Sequence, residues 1–341
     1  MNFLLVQEST IQKFHFQCII YLIDCKSKRE RSNLNSTKYF RKWVIGIRLS
    51  KYLNREQIQK GLDFLDVDTN EDVMLFVDPL LLPENFKKIV DDFIKQSYEI
   101  YCEGNKKYSF NLFSHSKECN ATHLGYSSNN SRGKGVSMRM LDQFFSFVKS
   151  SVLPVQEKAL TSVAMPLFTK RFSEDRMSDL IVSLLKKELI IFSLEQAKKH
   201  GLQISSDTKT FEYWDHKNHE WAKFESPYVL DPEENKKDRL LILVPKTIVS
   251  KRYIISPAKY VSNIFSRLQL LPMYQDAKGK PYSKKTLREL EINKRYNEDK
   301  QKNYILDSTT SSPEYFIDYM EHSEKYRDNK SMLDDELISL L

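Results

Sequence analysis

The sequence predicts a helix-rich α+β protein with two buried strands and a β-hairpin. Several long segments carry apolar residues at helical spacing, two short segments are apolar on both faces, and one polar segment turns back on itself. Hydrophobic residues make up 40% of the 341 positions and aromatic residues 12%, which is enough to build a core. This composition excludes a largely disordered chain.

The chain is predicted to contain three regions. Residues 1–38 form an N-terminal appendage, in which the strand-like segment FHFQCIIYLID precedes a basic linker rich in Ser and Asn. Residues 39–275 form a helix-rich α+β core domain, and residues 276–341 form a charged helical C-terminal region.

In the first half of the core domain, the apolar spacing predicts two helices on either side of an interior strand. Residues 39–66 and residues 84–103 have apolar side chains three and four positions apart, as in amphipathic helices. The segment DVMLFVDPLLL between them is apolar at successive positions, which is typical of a strand buried on both faces. Asp78-Pro79 is expected to end this strand.

The second half is predicted to contain two helices, a hairpin and another buried strand. The helices cover residues 137–151 and 174–200, and the hairpin covers 211–225 with its turn near Lys217-Asn218. The strand is RLLILVPK, residues 239–246. The long helix is expected to bury three leucines: Leu180, Leu184 and Leu185.

Basic residues are concentrated in two clusters. Lys and Arg outnumber Asp and Glu by 53 to 46, for a net charge of +7. Residues 26–42 contain seven basic side chains and one acidic one, and residues 278–302 contain nine basic and four acidic ones. Two such clusters suit an anionic partner such as nucleic acid. The alternative is that both are ordinary solvated faces.

The four cysteines indicate a reducing compartment. Cys18, Cys25, Cys102 and Cys119 form no CxxC pair and no dense framework. The apolar run from 14 to 25 is too short to cross a bilayer, which needs about 20 apolar residues. We therefore expect a cytoplasmic protein without membrane association.

A glycine-rich loop with the sequence THLGYSSNNSRGKGVS is the best functional signal. Three of the eight glycines of the chain lie in it, and a predicted helix follows. Backbone amides of a glycine turn at a helix N-terminus can bind anions, although the loop matches neither a Walker A nor a GxGxxG pattern. A mobile surface loop is the alternative. The residues expected to contact phosphate are Ser127, Ser131, Arg132, Gly133, Lys134 and Gly135.

Three aspartates are the candidates for catalysis. Asp175 and Asp179 lie four positions apart and share a helix face, and Asp78 stands at the end of the interior strand. Such carboxylates could hold a divalent metal, Mg²⁺ above all, or act as general acid and base. The alternative is structural, because Ser173 is a good N-cap and acidic residues stabilise a first helical turn.

Other catalytic and metal motifs give little support for a reaction. His115, Cys119 and His123 are spaced at i, i+4 and i+8, but a zinc site would need a fourth ligand that the sequence does not supply. There is no GxSxG elbow and no HExxH motif. The sequence therefore does not assign an enzymatic reaction.

Three segments together resemble a poorly characterised bacterial family associated with mobile elements and anti-phage defence. They are the LFVDP strand, the HLGYS…SRGKG loop, and the helix DRMSDLIVSLLKKELIIFSLEQA followed by LLILVPK. Longer members of that family continue into a restriction-endonuclease-like domain. Here the last hundred residues contain no Asp…Glu-x-Lys strand, and Glu298-Asp299-Lys300 has charged surroundings. The resemblance implies a defence setting and supplies no active site.

Three functional hypotheses follow from these observations. In the first, the chain is a nucleic-acid-associated defence module, in which the glycine loop acts together with Lys284, Lys285 and Arg288. The second is a metal-dependent nuclease or phosphodiesterase that uses the three aspartates. The third is a sensor or scaffold subunit that acts through a protein partner.

Overall fold

The computed structural model describes residues 48–53, 59–116, 119–125, 137–232, 239–324 and 331–341. The chain divides into two compact units, Met1–Ile45 and Gly46–Leu341, and every described residue belongs to the second. The predicted N-terminal strand and basic linker lie outside the described residues. The region boundaries predicted at 38 and 275 stay predictions.

The described residues form a helix-rich α+β fold, which confirms the predicted class. The helices are α1 (Leu49–Tyr52), α2 (Glu84–Cys102), α3 (Lys106–Leu112), α4 (Met138–Ser150), α5 (Leu153–Ala159), α6 (Met165–Phe168), α7 (Glu174–Leu184), α8 (Lys186–His200), α9 (Pro257–Leu268), α10 (Lys284–Arg288), α11 (Lys300–Ser311), α12 (Pro313–Glu324) and α13 (Asp334–Leu340). The strands are β1 (Phe76–Val77), β2 (Lys209–Asp215), β3 (Glu220–Ser226), β4 (Val229–Leu230), β5 (Leu240–Leu241) and β6 (Val249–Ser250).

The strands pair into antiparallel two-stranded sheets. β2 and β3 form the predicted hairpin, with Trp214 opposite Trp221. β4 pairs with β5, and β1 pairs with β6 through Phe76 and Ser250. Both interior strands are shorter than the sequence predicts, because the backbone next to each pair bonds elsewhere. The Ile242 amide, for example, donates to the Ala121 carbonyl at 2.8 Å.

The helix predicted over residues 39–66 is wrong for residues 59–66. Among its described residues, only 49–52 are helical. Side-chain hydrogen bonds fold the chain back instead: Asp66 Oδ1 accepts from the Ser50 amide at 2.7 Å, and Gln59 bonds both Phe64 O and the Asp66 amide. The spacing of apolar residues does not predict buried polar groups of this kind.

The long helix predicted over residues 174–200 consists of two helices. α7 ends at Leu184, and Leu185 has left the helical conformation at φ −90° and ψ 17°. The predicted burial is confirmed, because Leu180, Leu184 and Leu185 are all fully buried. α7 packs against β1 and β2 and so occupies the centre of the fold.

An aromatic cluster joins the hairpin to α2. Phe93 makes edge contacts with the rings of Phe113, Trp214 and Trp221 at centroid distances of 4.8, 5.0 and 5.9 Å. The Trp214 indole donates to Asp92 Oδ2 at 2.8 Å, so the polar end of this buried ring is also paired. The aromatic residues of the hairpin therefore serve packing.

Candidate functional site

The carboxylate of Asp78 joins three separate segments at the end of β1. Its Oδ1 accepts from the Leu80 amide at 3.0 Å and caps a short 3-10 turn. Its Oδ2 accepts from Ser250 Oγ and from the Ile254 amide, both at 2.9 Å. Burial raises the pKa of Asp78, and these donors oppose the shift. The contacts favour the structural role of Asp78.

Tyr253 lies at the centre of an acidic region next to Asp78. Its hydroxyl is 2.9 Å from the carbonyl oxygens of both Val77 and Glu174, and its amide donates to Glu174 Oε1 at 3.0 Å. Burial raises the pKa of Tyr253, and the charges of Asp78, Glu174, Asp179 and Asp175 raise it further. The negative charges of all three predicted aspartates thus contribute to the raised pKa of one buried tyrosine.

The first turn of α7 is capped as the structural alternative requires. Ser173 Oγ accepts from the Arg176 amide at 3.5 Å, and Glu174 and Asp175 occupy the first turn. Within the described ranges, no group of three His, Cys, Asp or Glu side chains is arranged to hold a metal ion. A Mg²⁺ site formed by Asp78, Asp175 and Asp179 stays a prediction.

Most of the predicted glycine loop lies outside the described residues. This applies to Ser127, Ser131, Arg132, Gly133, Lys134 and Gly135. Of its flanks, Gly125 has φ +114°, and a Cβ on it would lie 2.7 Å from Asp175 Oδ1. On the other side, Ser137 caps α4, and Arg176 Nη1 is 3.6 Å from Met140 Sδ in the first turn of that helix. Both flanks therefore meet the first turn of α7.

The three cationic residues predicted from the second basic cluster do converge. Lys284, Lys285 and Arg288 line one groove of about 320 Å³ together with Ser262 and Phe265 of α9, and we call it the basic groove. Lys284 Nζ donates to the carbonyl and hydroxyl oxygens of Ser262 at 2.9 and 2.7 Å. Arg288 Nη1 donates to Gln301 Oε1 at 3.2 Å.

The basic groove carries uncompensated positive charge. Among the described residues, no carboxylate lies within ion-pair distance of Lys284, Lys285 or Arg288. Leu287 is fully buried and fixes the short helix α10, whereas Lys284 and Lys285 are exposed. The groove can therefore receive an anion from solvent.

The possible zinc ligands have separate partners. The His115 ring stacks on Trp221 at a centroid distance of 5.0 Å, and Cys119 Sγ accepts from Lys186 Nζ at 2.8 Å. His123 is buried, with Nδ1 3.7 Å from Asp72 Oδ1. The described residues thus provide no zinc group.

Sequence reasoning missed the contribution of residues 250–256 to this region. Ser250, Tyr253 and Ile254 meet the end of β1 and the start of α7, more than 70 residues away in sequence from either. The one local signal was Ser256-Pro257, a cap followed by Pro at the first helical position, which correctly marks the start of α9.

A protein-family model matches residues 53–256, which is more than half of the chain, and its description is Domain of unknown function (DUF8370). The chain belongs to the DUF8370 family. The matched segment contains β1, α7 and β6 and therefore the whole acidic region around Tyr253. All the residues that line the basic groove follow the DUF8370 segment.

No curated protein and no solved structure matches the chain. In the parts of the chain that the structure describes, no helix combines the length and apolar character needed to cross a bilayer.

Proposed function

We propose that the chain is a nucleic-acid-associated module of a bacterial defence system and binds its partner through phosphates. The observation that carries this proposal is the basic groove. It gathers three cations and a serine hydroxyl on one exposed surface, and within the described residues none of the three cations is neutralised by a carboxylate. Lysine, arginine and hydroxyl side chains are the usual partners of backbone phosphates.

The geometry of the groove favours several contacts at once. The two hydrogen bonds from Lys284 to Ser262 hold its ammonium in place before a ligand arrives, which lowers the entropy lost on binding. Lys285 is exposed at the edge of the same groove. Arg288 is half-buried and presents a planar guanidinium, which suits a phosphate better than a point charge does.

A further cation lies on the same face of α9 as Ser262. Lys259 is one helical turn before Ser262, so the two share a helix face. Lys259 Nζ donates to the carbonyl oxygens of Tyr253 and Ile254, at 3.2 and 3.1 Å, next to the exposed Lys251 and Arg252. A polyanion in the basic groove could therefore continue past the start of α9.

The test is a binding titration at several salt concentrations. Fluorescence anisotropy with labelled 30-mer duplex DNA, single-stranded DNA and single-stranded RNA would be measured from low to physiological salt. The triple variant Lys284→Gln, Lys285→Gln, Arg288→Gln should bind more weakly, and its log–log salt slope should fall by roughly two to three units.

The matched control removes three exposed positive charges elsewhere: Lys88→Gln, Lys95→Gln and Lys217→Gln. A loss of affinity and slope no larger in the groove variant than in this control would refute the role of the groove. If the unmodified chain binds none of the three probes, the scaffold hypothesis replaces the proposal. Cleavage of a probe that requires added Mg²⁺ would favour the nuclease hypothesis.

A further inference from the structure

A small cavity lies where the starts of α7 and α9 meet α11. Its volume is about 230 Å³, which fits a small molecule and excludes a nucleic-acid strand. Phe172 and Pro257 supply apolar walls, and Glu174, Ser256 and Lys302 supply the polar groups. The cavity is separate from the basic groove, and its chemistry does not depend on nucleic-acid binding.

Lys302 brings the amino group of a lysine into this cavity. It lies in the first turn of α11, just before the buried Tyr304 and Ile305, and its Nζ donates to the carbonyl oxygen of Pro166 in α6. The side chain is only partly exposed. Within the described residues, no carboxylate is within ion-pair distance of Lys302.

Removal from water makes this amine unlike a surface lysine. Burial lowers the pKa of Lys302 to about 7, and the charge of Asp299 opposes the shift only in part. Asp299 is itself 3.6 Å from Arg171 Nε. A large fraction of Lys302 therefore carries a free lone pair at neutral pH, and a desolvated lysine of this kind is a nucleophile.

The other charged groups next to the cavity have partners other than the amine. Glu174 Oε1 accepts from the Tyr253 amide, and Lys259 Nζ points to the carbonyl oxygens of Tyr253 and Ile254. The cavity thus combines a neutral amine with one carboxylate and apolar walls. Amines in such surroundings react with carbonyl carbons.

We propose that this cavity binds a small aldehyde or ketone, whose carbonyl carbon is attacked by Nζ of Lys302. The nitrogen lone pair forms the N–C bond while the C=O π pair moves to the oxygen; the nitrogen loses one proton and the oxygen gains one, which gives a neutral carbinolamine. The hydroxyl group then takes up a second proton and leaves as water while the nitrogen lone pair forms the C=N bond, and loss of the second nitrogen proton gives the imine. Glu174 is the carboxylate in the cavity that can carry these protons.

The test is reductive trapping on the full-length chain. The protein would be incubated at pH 7 with propanal, or separately with pyruvate, in the presence of cyanoborohydride, which reduces the imine to a stable amine. Peptide mass spectrometry then gives the rate of modification at each lysine. Lys302 should be modified at least about tenfold faster than Lys300, which is exposed and lies two residues away.

The pH dependence of the labelling rate shows whether Lys302 is a reactive amine or only a buried one. Labelling of Lys302 should level off above about pH 7.5, whereas labelling of Lys300 should rise about tenfold per pH unit, as expected for an ordinary lysine. Lys302→Arg should abolish the fast label, and Lys300→Arg should leave it unchanged. Modification of Lys302 no faster than that of Lys300 with either probe would overturn the proposal, and nucleic-acid binding plays no part in this readout.

Discussion

Removal of the Asp78 carboxylate should be among the most damaging single changes to this fold. Asp78 is almost fully buried and accepts hydrogen bonds from Leu80, Ser250 and Ile254. Asp78→Ala leaves two buried donors and one partly buried donor without their acceptor. A buried donor that loses its partner costs about 1–3 kcal/mol, and partial relaxation reduces the sum. We expect the free energy of unfolding to fall by about 3–5 kcal/mol.

Asp78→Asn should cost less, about 1–3 kcal/mol. One carboxylate oxygen becomes an NH₂ group that must face a donor, but the buried negative charge is removed. The pH dependence follows from the raised pKa of Asp78. The folded chain keeps its proton to higher pH than the unfolded chain, so stability falls as pH rises from about 3.9 through the raised value. Asp78→Asn should abolish this fall.

Urea unfolding followed by circular dichroism measures both effects. The control is Asp276→Ala, because Asp276 Oδ1 also accepts from two backbone amides, those of Lys278 and Lys280, but in an exposed turn. Water can replace that acceptor, so a cost below about 1 kcal/mol is expected. If Asp78→Ala and Asp276→Ala cost the same, the three contacts of Asp78 do not hold the fold together as argued.

Three further changes test other parts of the structure. Gly125→Ala should cost about 1–3 kcal/mol in urea unfolding, and more than Gly104→Ala, because both glycines have positive φ but a Cβ on Gly104 meets nothing within 4 Å. Lys302→Met should remove a rise in stability of about 3 kcal/mol between about pH 7 and about pH 9.5. The pKa of Lys302 is lowered to about 7 in the folded chain, so in that pH window the folded lysine has released its proton while the unfolded lysine still binds it. Stability therefore rises with pH. An equal difference between wild type and variant at both ends of the window would contradict this. Replacing Arg132 and Lys134 together with alanine should weaken nucleic-acid binding, lower the salt slope by about one to two units, and change stability by less than about 0.5 kcal/mol. Unchanged binding would make that loop a connector.

Local sequence patterns predicted the elements whose partners are close in the chain. The hairpin was predictable because β2 and β3 follow each other around a short turn at 216–219. The burial of Leu184 was predictable because helical spacing defines its face. Lys284, Lys285 and Arg288 could be named as candidates because they belong to one basic cluster of the sequence, and the structure adds that they line one groove.

The rest depends on contacts that no local pattern contains. The short length of β1 is set by β6, its partner, and the acidic region depends on Tyr253 reaching the start of α7. The buried hydrogen bonds of Gln59 replaced a helix that apolar spacing favours. In the sequence, Lys302 resembles the other basic residues of a charged segment. It differs from them in its burial, which results from the packing of α11 against α6.

The pairing of β1 with β6 has a consequence for synthesis on the ribosome. The hydroxyl of Tyr253 bonds the carbonyl of Val77 across 176 positions of the chain. At about 5–20 residues per second, roughly 10–35 s pass between translation of the two partners. During that interval the apolar segment LFVDPLLL lacks its strand partner β6, and until α7 has been translated it also lacks that helix, so it is exposed to chaperones and to aggregation. Nascent chains halted before residue 250 should therefore remain protease-sensitive, and those in which residue 259 has emerged from the ribosome should become resistant.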